Sequence, residues 1–115
     1  MDLPASRLNA DVAVAPQLAP DAMAAAAAAG FRSVINNRPD FEGGPEQPTS
    51  AAMEAAARAA GLEYVFLPVA SAFQTPEQAQ AMADALERLP KPVLAFCRSG
   101  ARSARLYQMA CALGG

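Results

Sequence analysis

Cys97-Arg98-Ser99-Gly100-Ala101-Arg102-Ser103 gathers a nucleophile, two guanidinium groups, two hydroxyls and a glycine into one short stretch. It follows Pro92-Val93-Leu94-Ala95-Phe96, an apolar run suited to a central strand, and precedes residues with helical spacing. A loop between a strand end and a helix start can turn successive backbone N–H groups inward. With the helix dipole, these groups form an anion cradle. Gly100 allows a tight turn where a Cβ would clash. The same field favours a thiolate, and comparable sites lower a cysteine pKa from about 8.5 to roughly 3.5–7.5. Arg102 can offer a planar fork to phosphate or sulfate-like oxygens. Ser103 can donate to the thiolate or cap the helix. Cys97, Arg102 and Ser103 are therefore candidate catalytic residues, and Arg98, Ser99, Gly100 and Ala101 candidate anion-binding residues. The bland reading makes Cys97 a buried, inert core cysteine. Cys111 reads as packing on the flank of the last helix, while Arg98 and Arg105 divide between ligand contact and solvent exposure.

Charge points to the same region. From Arg88 onward there are five bases (Arg88, Lys91, Arg98, Arg102, Arg105) and no acid, whereas residues 1–87 hold four bases and eleven acids. The first part is thus −7 and the last +5, within a total of −2. Such asymmetry favours a local anion site, and the net charge argues against nucleic acid as the main partner.

The elements that must position this loop follow from the rest of the chain. With 115 residues, 53% apolar and 17% charged, the chain reads as one globular domain spanning 1–115, with a core rich in alanine. The two cysteines and the lack of histidine exclude a disulfide framework, an ordinary zinc site and a Cys-His dyad. No cofactor is implied. No segment is apolar for long enough to span a membrane, and the N-terminus lacks the order of a signal peptide, so a cytoplasmic protein is expected.

Strands are expected at 11–15, 31–36, 62–68 and 92–96. Helices are expected from Pro20 to the stop at Gly30, from Thr49 to Gly61, from Thr75-Pro76-Glu77 through Leu86, and from about Ser103 to Gly114-Gly115. The last buries Leu106, Met109, Ala110 and Leu113. This β-α-β-α order predicts a single α/β domain with a mostly parallel sheet of about four or five strands and helices on both faces. Ligands of such sheets bind at the carboxyl ends of the strands. Pro16-Gln17, Asn36-Asn37-Arg38-Pro39-Asp40, Val69 to Gln74 and the Cys97 loop should meet there. Arg38 is a candidate anion ligand. Asn36 and Asn37 suit either loop ordering or plain turn chemistry.

These stretches resemble a known family. Gln17-Leu18 with Pro20, Phe31-Arg32-Ser33-Val34-Ile35-Asn36-Asn37-Arg38-Pro39-Asp40, Gln47-Pro48-Thr49 and Phe96-Cys97 to Ser103 are similar to the phosphatase-like domain of bacterial beta-lactamase hydrolase-like proteins. That family is related to tyrosine and dual-specificity phosphatases, and the likeness runs from Asn9 to about Met109. It implies a cysteine nucleophile, a phosphocysteine intermediate and a phosphorylated substrate. Two departures stand out. Phe96 occupies the position where tyrosine phosphatases carry histidine, and four residues rather than five separate Cys97 from Arg102. The shorter spacing also resembles rhodanese sulfurtransferases, which carry a persulfide and draw on a persulfide donor. Related phosphatases take a general acid from a neighbouring loop, but Val69-Ala70-Ser71-Ala72-Phe73-Gln74 has no acid. Asp40 is the nearest candidate, with an ordinary turn role as its alternative. Three readings therefore stand: a phosphatase favouring aryl phosphates, a sulfurtransferase, and a noncatalytic module binding phosphate or another small oxyanion.

Overall fold

In the computed structural model, which describes residues 3–114, the parallel strands alternate with helices as the sequence predicts. The strands are β1 (Ser6–Arg7), β2 (Val12–Ala15), β3 (Ser33–Asn36), β4 (Glu63–Phe66) and β5 (Val93–Phe96). The helices are α1 (Ala22–Ala28), α2 (Ser50–Ala59), α3 (Pro76–Arg88) and α4 (Ala101–Gly114). The sheet order is β1-β2-β5-β3-β4, with β5 paired in parallel to β2 and β3, and β3 in parallel to β4.

The central strand β5 is buried along its whole length, which is why its residues read as a continuous apolar run. Its side chains divide between two cores. Leu94 and Phe96 pack with Met23 and Ala26 of α1 and Met53 and Ala57 of α2. Val93 and Ala95 pack with Ala79, Met82 and Ala85 of α3 and Leu106 and Ala110 of α4. Alanine on the helices lets their backbones approach the sheet closely, so small side chains still fill the interior.

Element ends shift by one or two residues from expectation, and three differences bear on the core and the site. β1 pairs antiparallel to β2, and two exposed polar residues give no apolar alternation by which to read it. The last helix begins at Ala101, two residues before Ser103, because Gly100 turns the chain at φ +93 and frees the helix to start at once. An added Cβ at Gly100 would lie 3.4 Å from the backbone of Ala15, so the glycine also permits close packing on β2. At the far end Leu113 is 51% exposed, since α4 outruns the core that Leu106 and Ala110 cover. Gly115 lies outside the described residues. Among the described residues no helix is long and apolar enough to cross a membrane.

Candidate active site

Strand β5 delivers Cys97 to the carboxyl edge of the sheet, where the residue is 1% exposed. The following loop folds back over the sulfur, and the Gly100 N–H donates to Sγ at 3.1 Å. Burial pushes the thiol up. The Ser103 N–H and hydroxyl, with the Gly100 and Ser99 N–H groups, outweigh that push, so Cys97 ionises below the usual thiol range. The Ser103 hydroxyl donates to Asn37 Oδ1 at 2.8 Å and also lies beside Sγ. One proton thus has two acceptors, and ionisation of the sulfur strengthens its claim. Asn37 is fixed in turn by donating to Leu67 O at 3.0 Å, and Asn36 Oδ1 accepts from the Arg38 N–H at 2.9 Å. The asparagine pair therefore orders the loop after β3.

The four segments expected at this edge do meet. Gln17 N–H donates to Arg98 O at 3.2 Å, Gln17 Oε1 accepts from Arg38 Nη1 at 3.2 Å, and Val69 O accepts from Arg102 Nη1 at 3.0 Å. Three of the four, all but Pro16-Gln17, border a cleft of about 450 Å³ lined by Arg38, Glu42, Gly43, Ser71, Arg98 and Arg102. Cys97 is not among the lining residues; Arg98 and Arg102 connect its loop to the cleft.

Arg102 sits in the first turn of α4 and is 5% exposed. Its Nη1 donates to Glu42 Oε2 at 3.1 Å and to Val69 O, and its Nη2 donates to Glu42 Oε1 at 2.9 Å. Nε is buried with no partner among the described residues. Glu42 thus grips the end of the guanidinium. The Nε–H and the second Nη2–H remain unspent on one edge of the plane. A buried donor without an acceptor costs about 1–3 kcal/mol, which an arriving oxyanion relieves.

Sequence reasoning missed Glu42. Its carboxylate also accepts from Arg38 Nε at 2.9 Å, and the two arginines hold it below the ordinary value of 4.5 against the opposing push of burial; the Arg102 hydrogen bonds contribute most. Asp40, the acid chosen from sequence, is placed elsewhere. Its Oδ1 accepts from the Ser50 N–H at 2.7 Å, satisfying a free donor in the first turn of α2, and Asp40 is absent from the cleft lining. A signal for Glu42 existed: it stands four residues after Arg38 in a loop that borders a basic site. Of the remaining candidates, Arg98 is exposed in the cleft, Ala101 and Ser99 are exposed on the loop, and Gly100 is buried. Arg105 Nη1 reaches Gln74 Oε1 at 3.4 Å, and Cys111 is exposed on α4. Among the described residues no group of His, Cys, Asp and Glu is arranged to hold a metal.

Two substitutions probe these acids. Glu42→Gln should leave Arg102 loosely held and lower kcat/KM on a phosphate ester about 100-fold, the scale expected from a misplacement of about 1 Å. It should also flatten acid sensitivity. A lowered folded-state pKa gives stability that is complete above 4.5 and lost as pH falls through the folded value, so melting between pH 6 and pH 3 should weaken the parent more than the variant. Asp40→Ala should cost about 1 kcal/mol in a denaturant melt, as loss of a helix-start acceptor does.

A mostly parallel α/β sheet carrying a cysteine in an N–H-lined loop, with a buried arginine opening the next helix, defines the class of phosphatase-like domains of tyrosine-phosphatase fold. The family described as beta-lactamase hydrolase-like protein, phosphatase-like domain, matches residues 5–114, and the chain belongs to it. The beta-lactamase hydrolase-like protein of Xylella fastidiosa (strain Temecula1) is 39% identical over 108 residues, which are 94% of this chain. The chain spans about a quarter of the length of the curated relatives it matches, 25% in that case. A candidate phosphatase from Neisseria meningitidis superposes with a TM-score of 0.85 at 27% identity, covering 95% of this chain and 77% of its own. Tk-PTP in its active form shares the fold at a TM-score of 0.68 and 19% identity, covering 96% and 82%.

Proposed function

We propose that this domain is a cysteine-dependent phosphatase that hydrolyses phosphate monoesters through a phosphocysteine at Cys97. The observation that carries the reading is the pairing of a thiol made acidic by its loop with an arginine whose buried Nε lacks an acceptor. A dianionic phosphate is the ligand that both features call for. The unspent Arg102 fork and the loop N–H groups hold the phosphoryl oxygens and stabilise the charge that builds on them. Arg38 and Arg98 add positive charge at the cleft.

In the first step the Cys97 thiolate attacks phosphorus. A P–S bond forms, the ester P–O bond breaks, and the electron pair departs on the leaving oxygen. Water then attacks the phosphocysteine. The P–S bond breaks, the thiolate is restored, and both protons of the water leave on the released phosphate as dihydrogen phosphate. No step uses a metal or organic cofactor.

The leaving oxygen is the weak point. Glu42 is held ionised by two arginines, and Asp40 lies outside the cleft lining with its Oδ1 on the Ser50 N–H, so neither carboxylate is placed to protonate the leaving oxygen. Without a general acid, poor leaving groups lose about 10²–10⁴-fold. Aryl phosphates should therefore be turned over at least about 100-fold faster than alkyl phosphates, measured as phosphate release at pH 5 to 8. Comparable rates on both would contradict this mechanism.

The same observation favours a second reading. Sulfur transfer through a Cys97 persulfide needs the acidic thiol and the cradle but no general acid. An intact-mass gain of one sulfur on Cys97 after exposure to a persulfide donor, with no phosphate release from any ester, would replace the first reading by the second. Either chemistry needs a reduced thiol, which suits the cytoplasm.

A further inference from the structure

The Cys97 loop and the Arg102 fork account for a single phosphoryl group, yet the cleft contains more cationic capacity than that. Three arginines line it against one carboxylate, Glu42. At about 450 Å³ it falls in the size range of sites that enclose whole small molecules, roughly 300–1,000 Å³.

Arg38 is the informative residue. It is 8% exposed, its Nε is committed to Glu42 and its Nη1 to Gln17, but its Nη2 has no hydrogen-bond partner among the described residues. Gly43 shows that room has been left for this nitrogen. Its backbone does not adopt a positive φ, so no turn requires glycine there, yet an added Cβ would lie 2.6 Å from Arg38 Nη2. The absent side chain keeps the guanidinium at the cleft wall. Arg98 brings a second uncommitted guanidinium to the same cleft, with no side-chain hydrogen bond or ion pair to a described residue.

The distance to the first anion is bounded. Arg38 Nε and Arg102 Nη2 each lie 2.9 Å from the same Glu42 oxygen, so they are at most about 5.8 Å apart. A second anionic group held by Arg38 must sit close to the one held by Arg102. Two phosphates joined by an anhydride, or borne on adjacent atoms, meet that condition; anions at opposite ends of a long molecule do not.

We infer that Arg38 and Arg98 form a second oxyanion subsite, and that the ligand is a small molecule carrying two neighbouring phosphate-like groups. This rests on the proposed phosphate site at Cys97 and Arg102, and it names the substrate class of that site. Arg38 sets specificity here by meeting the group that does not react. Glu42 stays in place between the subsites, holding both guanidiniums in register.

Two non-hydrolysable probes separate this inference from the reading beneath it. Methylphosphonate offers one anion and methylenediphosphonate offers two, and their binding to the parent chain can be compared by calorimetry. The diphosphonate should bind at least about tenfold more tightly, the scale of one added charge-assisted hydrogen bond. Arg98→Ala, at an exposed position, should reduce that advantage severalfold. Arg38→Gln, checked for folding by circular dichroism, should abolish it. Equal affinity for the two probes would overturn the second subsite and leave the first intact. Failure of both probes to bind would overturn the phosphate site itself and this inference with it.

Discussion

Cys97→Ser is expected to reduce phosphate release from an aryl phosphate by at least about 1,000-fold while leaving the fold unchanged. A serine hydroxyl in the same cradle stays protonated near neutral pH, and the chain has no histidine to activate it. Its hydroxyl can still accept from the Gly100 N–H, so the loop keeps the contact that now reaches Sγ. Anion affinity should accordingly change little, which separates loss of the nucleophile from loss of the site. The parent carries a pH signature as well. Its thiol ionises below the ordinary range because loop N–H groups outweigh burial. Activity should therefore rise through that lowered value and level off at pH values where a free cysteine is still protonated. An acidic limb at the ordinary thiol pKa would mean that the cradle does not act on Cys97. Retention of full activity by Cys97→Ser would rule out a phosphocysteine altogether.

Arg102→Lys is expected to lower kcat/KM about 10²–10³-fold, although the charge is kept. An ammonium cannot spend one edge on Glu42 and another on a substrate, as the planar guanidinium does. The loss should resemble that from removing one preorganised donor to a developing oxyanion. Combining Arg102→Lys with Glu42→Gln should cost less than the product of the separate losses, because Glu42 acts on catalysis through Arg102. Steady-state kinetics of the four proteins on one aryl phosphate tests this coupling. Multiplicative losses would show that Glu42 does something other than hold Arg102.

Much of this site was legible because local rules and the global fold agree. A buried apolar strand, a cysteine, a glycine at the turn and an arginine in the first turn of the next helix place themselves once the sheet is mostly parallel. Arg38 entered by the same route, since the end of β3 must lie beside the end of β5. The loop after β3 was less readable. Asp40 and Glu42 both border it, and only the folded chain decides that Asp40 turns to the start of α2 while Glu42 spans 60 residues of sequence to reach Arg102. A long-range ion pair leaves no periodic trace in the sequence. Strand β1 was hidden for a related reason: two exposed residues at a sheet edge bury nothing, so no pattern marks them. Leu113 misled in the opposite sense, because helical spacing continued past the point where the core ends.

A covalent bond between Cys97 and phosphorus can be caught by rapid quenching. The parent protein, in excess over an aryl phosphate, would be acid-quenched in the first turnover and digested, and the Cys97 peptide weighed. One phosphoryl group should appear on that peptide as the phenol is released and vanish as inorganic phosphate forms. Phenol and phosphate released together, with the Cys97 peptide unmodified at every time point, would contradict it.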